Sequence, residues 1–194
     1  HPGYFTHTFD RSGGSAVVIG ERNVAIDVCL ILSKTVDELK ETDIAQHALE
    51  ALSKSQIKNV YMVGRRGPVQ AKFTLLEIKE MGRLEDCDPI VSIDALNYDD
   101  ASSAELNDHG NKSQQKVVSI LEDFAQRASE GKSRKLHILF TRGPKEIRGE
   151  SRVESIVLER NTLSGEPFKI KAVGTGETEE IPCGLVFRSV GYRG

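Results

Sequence analysis

Three residues suited to phosphate binding follow two apolar stretches of this 194-residue chain. Gly20 comes directly after residues 16–19, and Arg65 and Arg66 come soon after residues 59–63. A glycine permits the tight turn by which a strand passes into a helix, and the free N–H groups at a helix N-terminus attract an anion. Guanidinium groups donate charge-assisted hydrogen bonds to phosphate oxygens. Together these positions indicate a site for a phosphorylated nucleotide.

The turn at Gly20 departs in one place from the dinucleotide-binding pattern G-x-G-x-x-G/A. Arg22 stands where the second glycine is usual, and Ala25 fills the third place. The apolar spacing that follows predicts a helix, whose first residues Asn23 and Val24 offer backbone N–H groups to a pyrophosphate. If Arg22 requires a positive φ, its Cβ costs about 1–2 kcal/mol. Arginine therefore either weakens the site or adds its own charge to phosphate binding, and the sequence leaves both open.

The residues after the second strand indicate which dinucleotide would bind. A site that prefers NAD usually has an Asp or Glu there, about 20 residues beyond the glycine turn, to accept from the ribose 2′-hydroxyl. Here an additional helix, predicted to begin at Thr42 or Asp43, delays the second strand, and Arg65 and Arg66 follow it without a carboxylate. Because two guanidinium groups match a 2′-phosphate, the sequence predicts NADP(H). The alternative is a solvated arginine pair on a surface loop.

Strands and helices alternate through the first two thirds of the chain. The apolar pattern predicts strands at 16–19, 59–63, 89–93 and 135–141, and helices beginning at 23, at 42 or 43, at 74 and at 116. Polar and turn-forming residues predict a break at 34–41, a long surface excursion at 97–113 and a turn at 142–144.

The last third changes to the alternating pattern of β-strands. Residues 152–160, 168–172 and 177–181 are predicted as three antiparallel strands with turns at Gly165 and at 173–176, and residues 185–190 return to the main sheet. The predicted fold is therefore α/β: a doubly wound, Rossmann-like, mostly parallel sheet with a small antiparallel three-strand meander before the last core strand. Gly20 and the arginine pair then lie at the carboxyl ends of neighbouring strands, where such sheets bind ligands.

The same residues carry a resemblance to a known family. The segments VIGERNVAIDVCLIL, TDIAQHALEAL, VYMVGRRGPVQAKFTLLEIKEM and LVFRSVGYRG resemble the NADP-binding domain of adrenodoxin reductase and its bacterial ferredoxin–NADP reductase relatives. The resemblance covers residues 16–194, and its most specific part is RRGPxQxxFTxxE at 65–77. It implies a flavoprotein of the glutathione-reductase type, in which NADPH reduces FAD and the flavin passes single electrons to a ferredoxin- or adrenodoxin-like iron–sulfur protein.

The resemblance also implies a set of nucleotide contacts. Besides Gly20 they fall on the turn and helix start at Glu21, Arg22, Asn23 and Val24, on Arg65 and Arg66 for the 2′-phosphate, and on Glu77. Glu77 would brace an arginine or accept from a sugar hydroxyl, and a plain surface carboxylate is the alternative. No catalytic residue and no metal ligand is expected in this chain.

Composition and the chain ends indicate which partners, compartment and domain extent to expect. A net charge of −3 argues against a nucleic-acid partner, and no apolar run is long enough to span a membrane. Three scattered cysteines suit a reducing compartment, which is the cytoplasm in a bacterium or the mitochondrial matrix in a eukaryote. The start at His1 without a methionine indicates that residues 1–194 are one NADP(H)-binding domain, with its core at 15–194, excised from a larger FAD-containing enzyme.

Two alternative functions accompany this interpretation. The nucleotide fold is instead a binding or interaction module whose redox function Arg22 has weakened. A short-chain dehydrogenase is disfavoured, since no Tyr-x-x-x-Lys pair is present. As an isolated chain without a second, FAD-type glycine motif, the domain is expected to bind nucleotide without turnover. For the iron–sulfur carrier, the basic cluster Lys132, Arg134 and Lys135 is a candidate docking surface, against the alternative of a solvated loop.

Overall fold

A computed structural model of the chain describes residues 14–20, 22–40, 56–127 and 129–188. Five strands form a parallel sheet: β1 (Ser15–Ile19), β2 (Asn59–Val63), β3 (Cys87–Ile90), β4 (Arg134–Leu139) and β8 (Leu185–Arg188). Three further strands form a separate antiparallel sheet: β5 (Arg142–Arg148), β6 (Ser155–Ser164) and β7 (Lys171–Pro182). The strand order is β3-β4-β2-β1-β8 in the parallel sheet and β5-β6-β7 in the antiparallel sheet. The predicted fold class is confirmed.

Five α-helices are described: α1 (Asn23–Ser33), α2 (Val36–Lys40), α3 (Leu75–Gly82), α4 (Asp100–Leu106) and α5 (Lys112–Gln126). None of them is long and apolar enough to cross a membrane. Short 3₁₀ turns lie at Pro68–Gln70, Ile93–Leu96 and His109–Asn111.

The two faces of the parallel sheet are covered differently. On one face, Val18, Val60 and Met62 pack in a core with apolar residues of α1, α3 and α5. On the other, Val17, Ile19 and Val63 pack against Ile156 and Leu158 of β6. Successive strand residues point to opposite faces, and every residue of β1 is buried, so this strand is covered on both faces. The antiparallel sheet therefore covers the parallel sheet beside the strand ends that carry Gly20 and the arginine pair.

Residues 97–113 do not form the predicted surface excursion. They contain α4 and a 3₁₀ turn, and α5 begins at Lys112, before the predicted residue 116. The polar residues that suggested a loop are capping residues, since Asp99 accepts from the N–H of Ser102 and Asp108 from the N–H of Gly110. A cap and a loop have the same composition, which explains the error.

The predicted three-strand antiparallel sheet is present, and predicted strand 152–160 overlaps β6, but the other two strands differ from the prediction. Residues 142–144, predicted as a turn, begin β5 at the edge of the sheet, where Pro144 is tolerated. Residues 168–172 and 177–181 were predicted as two strands, but Lys171–Pro182 forms the single strand β7. Of the glycines between them, Gly174 is paired with Asn161, and Gly176 lies in a bulge, since the next pair is Glu159 with Thr178. The turn predicted at Gly165 is correct, with φ at +122°.

Smaller differences concern element ends. The predicted polar break at 34–41 contains α2, and β3 lies at 87–90, not at 89–93. The helix predicted to begin at Thr42 or Asp43 lies outside the described residues, as do residues 189 and 190 of the last predicted strand.

Candidate functional site

The carboxyl ends of β1 and β2 lie side by side. Ile19 pairs with Val63 in parallel register, and the N–H of Gly20 donates to the carbonyl oxygen of Val63 at 3.0 Å. Gly20 adopts a φ of +128°, a region open chiefly to glycine, so the tight turn requires this residue. The adjacency of the glycine turn and the arginine pair, expected from the strand order, is present in the structure.

The N-terminus of α1 offers free hydrogen-bond donors. Arg22 occupies the N-cap position without a side-chain cap, and the first turn of the helix carries no acidic residue. Within the described ranges, no group accepts from the backbone N–H of Asn23 or Val24, and Val24 is 56 % exposed. Unpaired N–H groups and the helix dipole make this end favourable for an anion. Glu21 lies outside the described residues.

Arg22 fits its position without backbone strain. Its φ of −94° and ψ of 170° are extended values that any residue adopts, and its carbonyl accepts the first helical hydrogen bond, from Ile26. The positive φ that would have made arginine costly is therefore absent. Its exposed side chain stands at the N-terminus of α1.

The loop that follows β2, residues 64–68, is here called the arginine loop, and its carbonyl groups are bonded to the rest of the fold. The carbonyl of Gly64 accepts from the N–H of Arg142 at 3.0 Å, and that of Arg66 from the N–H of Thr141 at 2.9 Å. The carbonyl of Arg65 accepts from the side-chain Nδ2 of Asn161 at 3.1 Å. All three donors come from the segment that leads into the antiparallel sheet or from the sheet itself.

The far end of the arginine loop is fixed by the side chains of two glutamines, of which Gln70 is buried and Gln114 is partly buried. Gln70 accepts from the N–H of Gly67 at 3.0 Å through Oε1, and its amide nitrogen donates to Ser102 of α4 at 3.0 Å. Gln114 of α5 donates to the carbonyl of Pro68 at 3.3 Å. Since the loop is held along its length, it is preorganised before any ligand binds.

The two arginines of the loop have different surroundings. Arg65 is exposed, and its guanidinium has no ion pair or hydrogen bond with any described residue. Arg66 is half-buried, and its Nη1 donates to the carbonyl of Ile170 at 3.3 Å. Arg66 also lines a cavity of about 350 Å³ together with Phe73, Glu105, Gln114 and Phe168. Arg65 is thus free to meet an anion, while Arg66 is partly bound to the fold.

The turn that holds Arg66 is itself strained and fixed. Phe168 adopts a φ of +66°, which is unfavourable for a residue with a Cβ, and its N–H donates to the buried carboxylate of Glu105 at 2.6 Å. This contact stabilises the turn whose Ile170 carbonyl receives Arg66.

Glu77 has a structural partner. Its carboxylate accepts from the N–H of Thr74 at 2.8 Å, and the Thr74 hydroxyl accepts from the N–H of Glu77 at 3.1 Å. This capping box begins α3. No arginine contacts Glu77 among the described residues, so its nucleotide contact stays a prediction.

Two of the three basic residues in the cluster at 132–135 donate hydrogen bonds to backbone carbonyls of the same chain. Lys132 donates to the carbonyl of Leu84 at 2.8 Å, and Arg134 to the carbonyls of Leu32 at 3.2 Å and Lys34 at 2.9 Å, at the C-terminal end of α1. Lys135 alone of the three is exposed. These contacts favour a structural role over a docking surface.

Sequence reasoning missed three residues around the arginine loop: Thr141, Asn161 and Ile170. The separation of Asn161 from Arg65 is 96 residues, and Asn161 lies in a strand whose pattern shows only alternation. No local signal marks it.

The arrangement is equipped to bind an anion. It combines free N–H groups at the α1 N-terminus, arginine-loop carbonyls bonded to the rest of the fold, and guanidinium groups that form no ion pair with a described carboxylate. Within the described part of the chain, no group of His, Cys, Asp and Glu side chains could hold a metal ion. These donors fit a ligand with phosphates at two places, which is the charge pattern of NADP(H).

A parallel sheet with phosphate-binding groups at the carboxyl ends of adjacent strands defines the class of α/β dinucleotide-binding domains. No family model matches the chain. It is 42% identical over 198 residues to NADPH-ferredoxin reductase FprA of Mycobacterium tuberculosis, covering 100% of this chain and 42% of the relative. It is 34% identical over 203 residues to the mitochondrial NADPH:adrenodoxin oxidoreductase of Arabidopsis thaliana, again covering 100% of this chain and 42% of the relative.

A solved structure agrees with these relatives. Mycobacterium tuberculosis FprA in complex with NADPH matches with a TM-score of 0.84 and 41% identity, over 100% of this chain and 42% of that chain. The chain is therefore homologous to a section of the NADPH-ferredoxin and NADPH:adrenodoxin reductases, and the resemblance predicted from its sequence is confirmed. It spans about two fifths of the length of these relatives, 42% in each case.

Proposed function

We propose that this chain is the NADP(H)-binding part of a flavin-dependent reductase of the ferredoxin or adrenodoxin type. The observation that carries the proposal is the position of Arg65 and Arg66, which follow β2 directly beside the glycine turn after β1. The proposed contacts comprise Gly20, Glu21, Arg22, Asn23, Val24, Arg65, Arg66 and Glu77.

Each group of residues has a distinct task. The N–H groups of Asn23 and Val24 receive the pyrophosphate, with Arg22 adding a positive charge. Arg65 and Arg66 bind the 2′-phosphate through charge-assisted hydrogen bonds, which contribute about 1.5–3 kcal/mol each. When bound, the nicotinamide supplies the hydride that reduces FAD held by the rest of the parent protein.

The domain extent, the electron acceptor and the compartment of the parent protein form part of the proposal. Residues 1–194 form a single domain with its core at 15–194, and an iron–sulfur protein of the ferredoxin or adrenodoxin kind receives the electrons. The relatives named as ferredoxin and adrenodoxin reductases support this partner. The compartment is the cytoplasm of a bacterium or the mitochondrial matrix of a eukaryote, since the relatives with mitochondrial names belong to eukaryotes.

Titration of the chain with NADPH and NADH tests the proposal. We expect NADPH to bind at least about tenfold more tightly, because one well-formed contact to a charged group contributes about 1.5 kcal/mol or more. Equal affinity for both nucleotides would contradict a 2′-phosphate site. Absence of binding to either would favour the alternative, an interaction module that has kept only the fold, although the unstrained backbone of Arg22 argues against a damaged turn.

A further inference from the structure

The peptide unit between Arg65 and Arg66 is oriented by one side chain. Its carbonyl oxygen, that of Arg65, accepts from Nδ2 of Asn161 at 3.1 Å. The neighbouring carbonyls of Gly64 and Arg66 are held by backbone N–H groups, which no side-chain substitution removes. Asn161 is thus the side chain whose replacement tests how the arginine loop is held at this peptide.

Asn161 also supports the second arginine peptide, through Thr141. The backbone N–H of Asn161 donates to the carbonyl of Thr141 at 2.9 Å, and the N–H of Thr141 donates to the carbonyl of Arg66 at 2.9 Å. Thr141 adopts a φ of +53°, which is uncommon for a residue with a Cβ. The side chain of Asn161 therefore completes a network that joins β6, the β4–β5 connection and the arginine loop.

The orientation of a carbonyl decides where the N–H of the same peptide points. The described chain contains no cis peptide, and in a trans peptide the C=O and N–H bonds point in opposite directions. The carbonyls of Gly64 and Arg65 point toward their donors in the fold. The N–H groups of the same two peptides, those of Arg65 and Arg66, therefore point away from the fold. Within the described ranges neither N–H has an acceptor. Free backbone N–H groups of successive residues in a turn are suitable donors to an anion.

We propose that Asn161 is a positioning residue for 2′-phosphate recognition: by holding the carbonyl of Arg65, it keeps the N–H of Arg66 on the open side of the arginine loop. The inference rests on the proposed function, because the anion it serves is the 2′-phosphate of NADP(H). Without Asn161 the peptide is free to rotate, and a carbonyl oxygen facing the phosphate would repel it. Asn161 therefore sets selectivity between NADPH and NADH and leaves the pyrophosphate contacts unchanged.

The test is Asn161→Leu, which keeps a similar shape and removes the donor. We expect NADPH and adenosine 2′,5′-bisphosphate to bind about 3- to 10-fold more weakly, and NADH and 5′-AMP to change by less than about twofold. Thr162→Val is the matched control, since Thr162 donates to the carbonyl of Val173 on β7 and removing its hydroxyl leaves the arginine loop untouched. The control is expected to retain wild-type affinity for all four ligands.

Melting curves of Asn161→Leu and Thr162→Val show whether a loss of binding comes from a loss of overall stability. If Asn161→Leu binds NADPH as wild type does, the inference is wrong. If it loses NADPH and NADH by the same factor, the inference is also wrong, because a merely structural role would produce that result. If the wild-type chain fails to prefer NADPH over NADH, the proposed function itself fails, and this outcome is visible before any variant is measured.

Discussion

The N–H of Gly20 donates to the carbonyl oxygen of Val63 at 3.0 Å, and this bond fixes the turn after β1 against the last residue of β2. The two strands are neighbours in parallel register, so their ends are separated by about 4.8 Å, the usual spacing in a sheet. A single dinucleotide extends much further than this distance. The bond is therefore the physical reason for assigning the α1 N-terminus and the arginine loop to one ligand.

The arginine pair gives the most direct prediction. We expect Arg65→Ala and Arg66→Ala each to weaken NADPH binding by about 10- to 150-fold, because a hydrogen bond to a charged group contributes about 1.5–3 kcal/mol. NADH lacks the 2′-phosphate, and its affinity is expected to stay nearly unchanged. Calorimetric titration of both nucleotides measures the difference, and equal losses would contradict the assignment.

Unfolding experiments control for damage in these two variants. Arg65 is exposed, so Arg65→Ala is expected to change the free energy of unfolding by less than about 0.5 kcal/mol. Arg66→Ala removes the bond to Ile170 and is expected to cost about 0.5–1.5 kcal/mol. A loss of NADPH affinity in Arg65→Ala therefore cannot come from unfolding.

Arg22→Gly tests the departure from the usual glycine motif. The extended backbone of Arg22 stores no strain for glycine to relieve, so the dominant change is the loss of a positive charge at the α1 N-terminus. We expect NADPH and NADH to bind about 1.4- to fivefold more weakly, and by the same factor, since an exposed ion pair contributes about 0.2–1 kcal/mol. Fluorescence titration of both nucleotides measures this.

Salt dependence identifies the cause of that change. At an ionic strength of about 1 M, screening is expected to remove most of the difference between Arg22→Gly and wild type. Tighter binding by Arg22→Gly would show instead that close approach of the backbone to the pyrophosphate outweighs the arginine charge.

Glu77 and Thr74 form the two halves of one capping box, which makes them a matched pair. Glu77→Ala and Thr74→Ala are each expected to lower the free energy of unfolding by about 0.5–2 kcal/mol. Because the proposed site includes Glu77 but not Thr74, we expect only Glu77→Ala to weaken NADPH binding, by about 3- to 10-fold. Equal NADPH affinity in the two variants would mean that Glu77 acts only in the capping box and does not contact the nucleotide.

The parallel core could be predicted because its signals are local. β1 is apolar from Ala16 to Ile19, and Gly20 marks its end. β5 could not be predicted in this way, since Arg142, Gly143 and Pro144 are typical of a turn and become a strand only by pairing with β6. The same applies to β7, where Gly174 suggests a turn but lies in a strand that continues past a bulge.

The candidate site, like the fold, could be predicted from the sequence only in part. Gly20 and Arg65 could be placed together from strand order alone, because parallel strands bring their carboxyl ends to one edge. The orientation of the Arg65 peptide depends on Asn161, which lies 96 residues further along the chain, and no periodicity specifies such a contact. Sequence therefore indicates which residues meet the ligand better than it indicates which residues hold them.

His137 predicts how stability depends on pH. Its ring stacks on Tyr61 with the ring centres 4.4 Å apart, and its Nε2 lies 2.9 Å from Oδ1 of Asn59. Burial, and secondarily the charge of Lys135, lowers the pKa of His137 from 6.5 to about 4. Between these values the unfolded chain binds a proton at His137 that the folded chain does not. The stabilisation is therefore fully present above about pH 6.5 and is lost as the pH falls to about 4.

His137→Phe separates this contribution from the other titrating groups, since it keeps an aromatic ring against Tyr61 and removes the proton site. We expect the free energy of unfolding of wild type to fall more steeply than that of His137→Phe between pH 6.5 and 4, and the two curves to run parallel above pH 7. Denaturant unfolding at a series of pH values gives both curves. Equal slopes between pH 6.5 and 4 would mean that the folded chain binds the proton at His137 as readily as the unfolded chain does.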